Sequence, residues 1–462
     1  MRPRSLATLA GLAAALSGAP AWAQHAGHVM AEEAPVATAR APRPPSEGEN
    51  GEHAAHMMMG HAMPGMMTGQ LAAYPMTRDA SGTSWQPDSS RMDGVMLDLG
   101  RGWSGMAHGY AALVHDEQGG PRGETKTFVE SMAMMMAQRR VGAGVLTLRA
   151  MGSLDPTMGR SGYPLLLQTG ETADGRDLLV DRQHPHDLVM ELAAVYSRPL
   201  AGELGGFVYV GWPGEPALGP ATYMHRFSGV VSPEAPISHH WLDSTHITFG
   251  VATTGLVWRG WKLEASSFTG REPDESRWDL DHPRFDSWSA RLSWNPTPDW
   301  SLQVSRGRLV SPEQLEPDVD QDRTTASATY NRPFSWRGVR GYWQTTAAWG
   351  RNDKRAATGA GDTTDAFLLD SAVSHGRHTV FGRLENVDKD ELFANDHADP
   401  LHDRIFNVTK ASLGYVHTTP LPRRLYLDLG GLVSRYDLPR AIQPAYGADP
   451  TSFMLFSRLV LR

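Results

Sequence analysis

The chain contains no cysteine. That excludes disulfides, thiolate metal sites and lipid attachment through a cysteine. No stretch approaches the roughly eighteen uninterrupted apolar residues that a membrane-spanning helix needs. Positive charge is in deficit: 43 Lys and Arg against 51 Asp and Glu leave a net charge of -8, so nothing favours a nucleic-acid partner. Neither a Gly-x-Ser-x-Gly elbow nor a His-Glu-x-x-His zinc motif is present. The chain is rich instead in glycine (47), methionine (21) and tryptophan (14). That mixture suits many turns, aromatic belts and soft side chains.

The first residues have the form of a secretory leader. Arg2 and Arg4 precede a short apolar run over 6–17, and Ala21-Trp22-Ala23 supplies small residues for cleavage before Gln24. Residues 1–23 are therefore expected to be a signal peptide. Residues 24–93 are expected to form a disordered tail and connector, because 32–52 is rich in Ala, Pro and Glu and 71–93 is rich in turn formers.

From residue 94 to 462 the pattern is that of strands. In the stretch 246–270, Trp261, Leu263 and Ala265 alternate with Lys262, Glu264 and Ser266 after a break at Arg259-Gly260. Successive strand residues point to opposite faces, so this is one apolar face and one charged face of a hairpin. The pattern recurs about sixteen times. The connections alternate between short (139–140, 201–202, 259–260, 295–298, 375–376, 418–422) and long (154–187, 213–245, 271–285, 310–322, 351–363, 388–404, 436–450). An even strand count with alternating short turns and long loops predicts an all-β fold, a transmembrane antiparallel barrel of about 16 strands in a Gram-negative outer membrane. The charged parity, including Arg149, Glu191, Lys262, Glu264, Arg291, Asp370, Arg383, Glu385, Lys410, Asp428 and Arg458, would face the lumen. Both barrel ends, and with them the tail, would lie in the periplasm.

Candidate metal ligands crowd the tail. The segment HAAHMMMGHAMPGMM holds His53, His56, Met57, Met58, Met59, His61, Met63, Met66 and Met67. Methionine is apolar, and a solvated linker should not collect it. Thioether sulfur prefers Cu(I), and Ag(I) behaves alike; imidazole accepts both copper states. His25, His28 and Met30 form a sparser second group. The first strands repeat the theme. Glu130, Met132, Met134, Met136 and Gln138 share one parity, as do Met106, His108, Tyr110 and Asp116, and Thr147, Arg149 and Met151. A methionine patch on the inner wall would follow, although methionine also serves as a space filler. The long loops hold His184 and His186 (QHPHD) and His239, His240 and His246 (SHHWLDSTH). These could bind a metal or serve a hydrolase, or pair with acids and backbone inside the lumen.

A Met/His-rich tail followed by a cysteine-free barrel resembles the outer-membrane copper-resistance B family, with HAAHMMMGHAMPGMM as the residue-level part of the resemblance. DRQHPHDL and RFSGVVSPEAPISHHWLDSTHITFG have no counterpart in it that can be assigned. The resemblance implies a non-enzymatic role in sequestering or exporting excess copper. Its partners would be outer-membrane lipid, copper ions and periplasmic copper-handling proteins. Two other functions fit the same sequence: a general porin or solute channel with an incidental tail, and an outer-membrane hydrolase using the loop histidines.

Overall fold

The computed structural model describes residues 67–462 except 357–358 and 403. Its strands are β1 (Val95–Gly100), β2 (Trp103–Glu117), β3 (Thr125–Val141), β4 (Gly144–Gly152), β5 (Tyr163–Thr172), β6 (Leu178–Gln183), β7 (Val189–Ala201), β8 (Leu204–Gly211), β9 (Val251–Trp258) and β10 (Trp261–Phe268). They continue as β11 (Ser287–Trp294), β12 (Trp300–Leu309), β13 (Val319–Trp336), β14 (Val339–Ala356), β15 (Gly359–His375), β16 (His378–Lys389), β17 (Phe406–Pro420), β18 (Leu425–Asp437) and β19 (Thr451–Leu461). Sixteen of them, β2 to β4 and β7 to β19, pair antiparallel in a ring. The last strand closes on the first, with Leu461 opposite Gly109 and Phe453 opposite Glu117. Strand β1 covers the part of β2 that β19 does not reach, pairing Val95 with Ala107. Closure leaves the sixteen-stranded ring without an open edge, which is the condition for a β-structure to sit in lipid.

Alternation along the strands sorts the side chains as expected. Leu263, Leu413 and Leu455 point outward and are exposed, whereas Lys262, Glu264 and Lys410 point inward and are buried. At the short-turn end Trp258, Trp261, Trp294, Trp300 and Trp336 also face outward. Trp261 stacks on Trp294 with ring centres 4.8 Å apart. Toward the long loops Trp212, Trp278 and Trp288 form the opposite belt. An apolar band between two aromatic girdles is the surface of an outer-membrane barrel. The short turns are tight: Arg337 (φ 52°) and Gly338 (φ 75°) both adopt positive φ, the conformation that a two-residue hairpin needs and that glycine accepts without strain.

Three expectations need correcting. The strand placed from residue 246 begins at Val251; Gly250 takes φ 97° and ends the alternation, and Thr248 bridges to Gly214 instead. The long connection placed at 351–363 is a hairpin extension, since β14 and β15 pair as far as Ala356 and Gly359. Residues 67–93 of the supposed disordered connector are ordered. Gln70, Leu71 and Thr83 are fully buried, because the polar residues of this segment meet the charged inner wall. Arg149 donates to the Gly82 carbonyl at 2.6 Å, Lys262 to the Thr83 carbonyl, and Asn331 to the Ser89 carbonyl at 2.6 Å.

A second inner segment, 212–250, is largely buried within the ring. It is latched to the wall through charge. Arg226 reaches Asp370 at 2.9 Å and Asp243 at 3.2 Å. Glu234 accepts from Lys410 at 2.8 Å and from Ser412 at 2.6 Å. Ser238 donates to Glu385 at 2.7 Å, and Arg383 and Arg458 donate to the Glu234 and Val230 carbonyls at 2.9 and 2.7 Å. The inner charges of the strands are thus mostly the sockets of a plug. Strands β5 and β6 form a hairpin inside the 153–188 connection; β5 shows no alternation because its side chains are buried on both parities.

Candidate functional site

Two clusters of ligand-type side chains lie inside the barrel. The first is a chamber of about 170 Å³ lined by Met76, Met92, Met106, Met132, Met134, Met136 and Met224, with His108 and His225. Strand alternation places four of the sulfurs. Met132, Met134 and Met136 lie on the inner parity of β3, and Met106, on β2, is directly opposite Met136 in the register. Met76 and Met92 come from the first inner segment, and Met224 and His225 from the second. Seven of the chain's 21 methionines therefore converge on one cavity. Random use of methionine as filler would spread them through the barrel.

His225 completes the chemistry of the chamber. Its ring centre lies 6.3 Å from that of His108, the two rings perpendicular. Its Nε2 is buried without a hydrogen-bond partner. Burial, with lesser help from His108 and Arg149, lowers its pKa to about 3, so the ring stays neutral. A neutral imidazole with a free ring nitrogen beside clustered thioethers is a soft-metal donor set.

Among the tail residues proposed as ligands, His53, His56, Met57, Met58, Met59, His61, Met63 and Met66 lie outside the described residues, as do His25, His28 and Met30. Met67 is described and buried, part of the same hydrophobic cluster as Met106, Met132, Met134 and Met136. The inner-wall methionines foreseen from parity are confirmed in position. Met76, Met92, Met224 and His225 were missed, since inner segments have no periodicity to show which way a side chain points.

The second cluster gathers the loop histidines. Ring centres are 5.9 Å apart for His184 and His240, 5.8 Å for His239 and His240, 5.1 Å for His239 and His246, and 5.3 Å for His186 and His246. Most carry the pairing expected of a buried network. His186 meets Asp155 at 2.8 Å, His239 meets Asp243 at 2.7 Å, and His184 meets Glu171 at 3.2 Å. His246 Nδ1 lies 2.9 Å from the Asp243 carbonyl. Burial holds the pKa values of His184, His239 and His246 below the usual histidine value, with neighbouring imidazoles adding to the effect. Burial would raise Asp243, but the hydrogen bond from His239, with further help from Arg226, holds it below the ordinary range. A small space of about 10 Å³ touched by His225, His246, Met151, Glu191 and Glu215 lies between the chamber and this network.

No protein-family model and no curated protein matches the chain. Among solved structures it is similar to the anion-selective porin from Comamonas acidovorans, with a TM-score of 0.48 and 12% identity over 78% of this chain and 99% of that one. It is also similar to Salmonella typhi OmpF in complex with daunomycin, with a TM-score of 0.45 and 9% identity over 79% and 100% of the two chains. The outer-membrane-expressed OmpT of Vibrio cholerae gives 0.40 and 7% over 79% and 100%.

Proposed function

We propose that this outer-membrane barrel serves copper or silver tolerance, gathering Cu(I) or Ag(I) on its Met/His tail in the periplasm and holding it in the sulfur-lined chamber. The chamber is the observation that carries the reading. Seven thioethers and two imidazoles line one cavity, and a polarizable sulfur donor set suits Cu(I) and Ag(I) far better than hard cations. Met67, the first described residue, belongs to the same buried cluster as the chamber methionines Met106, Met132, Met134 and Met136. Periplasmic copper-handling proteins are the partners this arrangement suits.

Competition titration with a Cu(I) chelator tests the proposal on the full-length chain. One variant changes Met57, Met58, Met59, Met63, Met66 and Met67 to Leu; a second changes Met132, Met134 and Met136 to Leu. Leucine keeps bulk while removing sulfur. Each variant should bind fewer Cu(I) equivalents than the parent, and cells carrying both sets should lose copper tolerance. If neither set alters Cu(I) binding, a general solute channel becomes the leading function and the methionines are filler.

A further inference from the structure

Four of the five loop histidines hold a partner within 3.2 Å through one ring nitrogen; His240 is placed differently. Its Nδ1 faces the carboxylates of Glu272 at 3.7 Å and Glu313 at 3.9 Å. These are too long for hydrogen bonds and leave a gap between the three groups. One ligand atom from each of His240, Glu272 and Glu313 lies within 4.8 Å of the others. Both Glu272 oxygens are buried without a hydrogen-bond partner. A buried carboxylate that accepts no hydrogen bond is costly, and Arg323, the nearby cation, directs its Nε to Asn352 and its Nη1 to Ser244. The space that admits His240 is also built in. Gly170 has φ 119°, and a Cβ there would fall 2.2 Å from His240 Cε1.

We propose that His240, Glu272 and Glu313 form a second metal site, for a divalent first-row ion such as Zn(II). One imidazole and two carboxylates form a donor set of intermediate hardness that suits such an ion, and the absence of thioether separates it from the Cu(I) chamber. Three protein ligands leave a coordination position for water. The ligands come from three different connections: His240 from 212–250, Glu272 from the segment between β10 and β11, and Glu313 from that between β12 and β13. A bound ion would tie the inner segment to two outer loops. This assignment does not depend on the copper reading.

The test uses the full-length protein in detergent, stripped with chelator and then loaded with Zn(II). The parent chain should retain one Zn(II) equivalent more than the variant Glu272→Gln/Glu313→Gln, and its site should bind at least about a hundredfold more tightly. Comparison with that variant cancels ions held by the tail histidines. Cu(I) uptake by the chamber should be unchanged. Both substitutions remove buried charge, and heat-shifted gel migration checks that the barrel is intact; should the double variant fail that check, His240→Asn replaces it in the same comparison. Equal Zn(II) content in parent and an intact variant would overturn the proposal. Loss of Cu(I) binding in the chamber methionine variant with Zn(II) retained would leave it standing, so the two assignments fail separately.

Discussion

Changing Arg226 to Ala is expected to unlatch the 212–250 segment and turn a closed barrel into a conducting one. The guanidinium is 1% exposed and sits between Asp370 on β15 and Asp243 in the inner segment. It also donates to the Ala221 carbonyl at 2.6 Å. Its removal strands the buried Asp370 carboxylate and takes one partner from Asp243, which keeps His239. Removing one partner of a buried ion pair costs about 3–5 kcal/mol, which corresponds to roughly two to four orders of magnitude in favour of release. The barrel itself should survive, because its strand ladder does not involve Arg226. In planar bilayers the variant should show frequent large openings where the parent is mostly shut, and protease should cut within 212–250. Arg226→Lys should lie between, since lysine keeps the charge but not the forked geometry. Identical conductance in parent and variant would mean that the latch is not what keeps the segment in place.

Acid should release the same segment, steeply and only at low pH, in metal-free protein. His184 and His246 are held well below the usual histidine value by burial, and His225 is lowered to about 3 for the same reason. Once the segment has left and the cluster is solvated, each would titrate near 6.5. A depressed histidine costs nothing above its released pKa; as pH falls below it, the released state takes up the proton and gains weight. Raised carboxylates act in the opposite sense. Burial lifts Asp79 to about 6 and Glu215 and Glu272 to about 7, so they favour the folded plug as pH falls from 7. His240, which its two carboxylates raise against the effect of burial, acts with them. The two sets offset each other between about pH 7 and 4. Below about 4 the raised carboxylates are protonated in either state and drop out. The three histidines then act together with Asp243, Glu234 and Glu313, which are all held low. With the offset gone, the three histidines and the three depressed carboxylates all favour release as pH falls further. Conductance against pH should stay flat to about 4 and then rise sharply. A gradual rise centred near 6.5 would mean that the histidines are not buried neutral.

The barrel was legible because its signal is local and repeated. Each strand declares its own two faces, and the inner parity of Lys262, Glu264, Arg291 and Lys410 was correct residue by residue. The alternation of Met132, Met134 and Met136 on the charged parity of β3 was enough to put sulfur in the lumen. The plug was not legible. Its backbone has no period, and its burial comes from partners far along the chain: Arg226 with Asp370, Glu234 with Lys410, Trp241 with Thr364 at 2.8 Å. Turn-forming residues over 71–93 read as a solvated connector because sequence alone cannot show that Arg149, Lys262 and Asn331 wait to satisfy them. His240 stood out as a histidine, but Glu272 and Glu313 looked like ordinary loop acids until the fold brought them to it.

Anomalous diffraction from crystals of the full-length barrel soaked in Ag(I) tests the central claim most directly. Silver scatters strongly, and its position needs no assumption about function. An ion is expected inside the chamber, within bonding distance of sulfur from the Met106, Met132, Met134 and Met136 group and of His225 Nε2, and it should be lost when Met132, Met134 and Met136 are changed to Leu. Silver that leaves the chamber empty, or that stays in place after the three methionines are replaced, would contradict the claim.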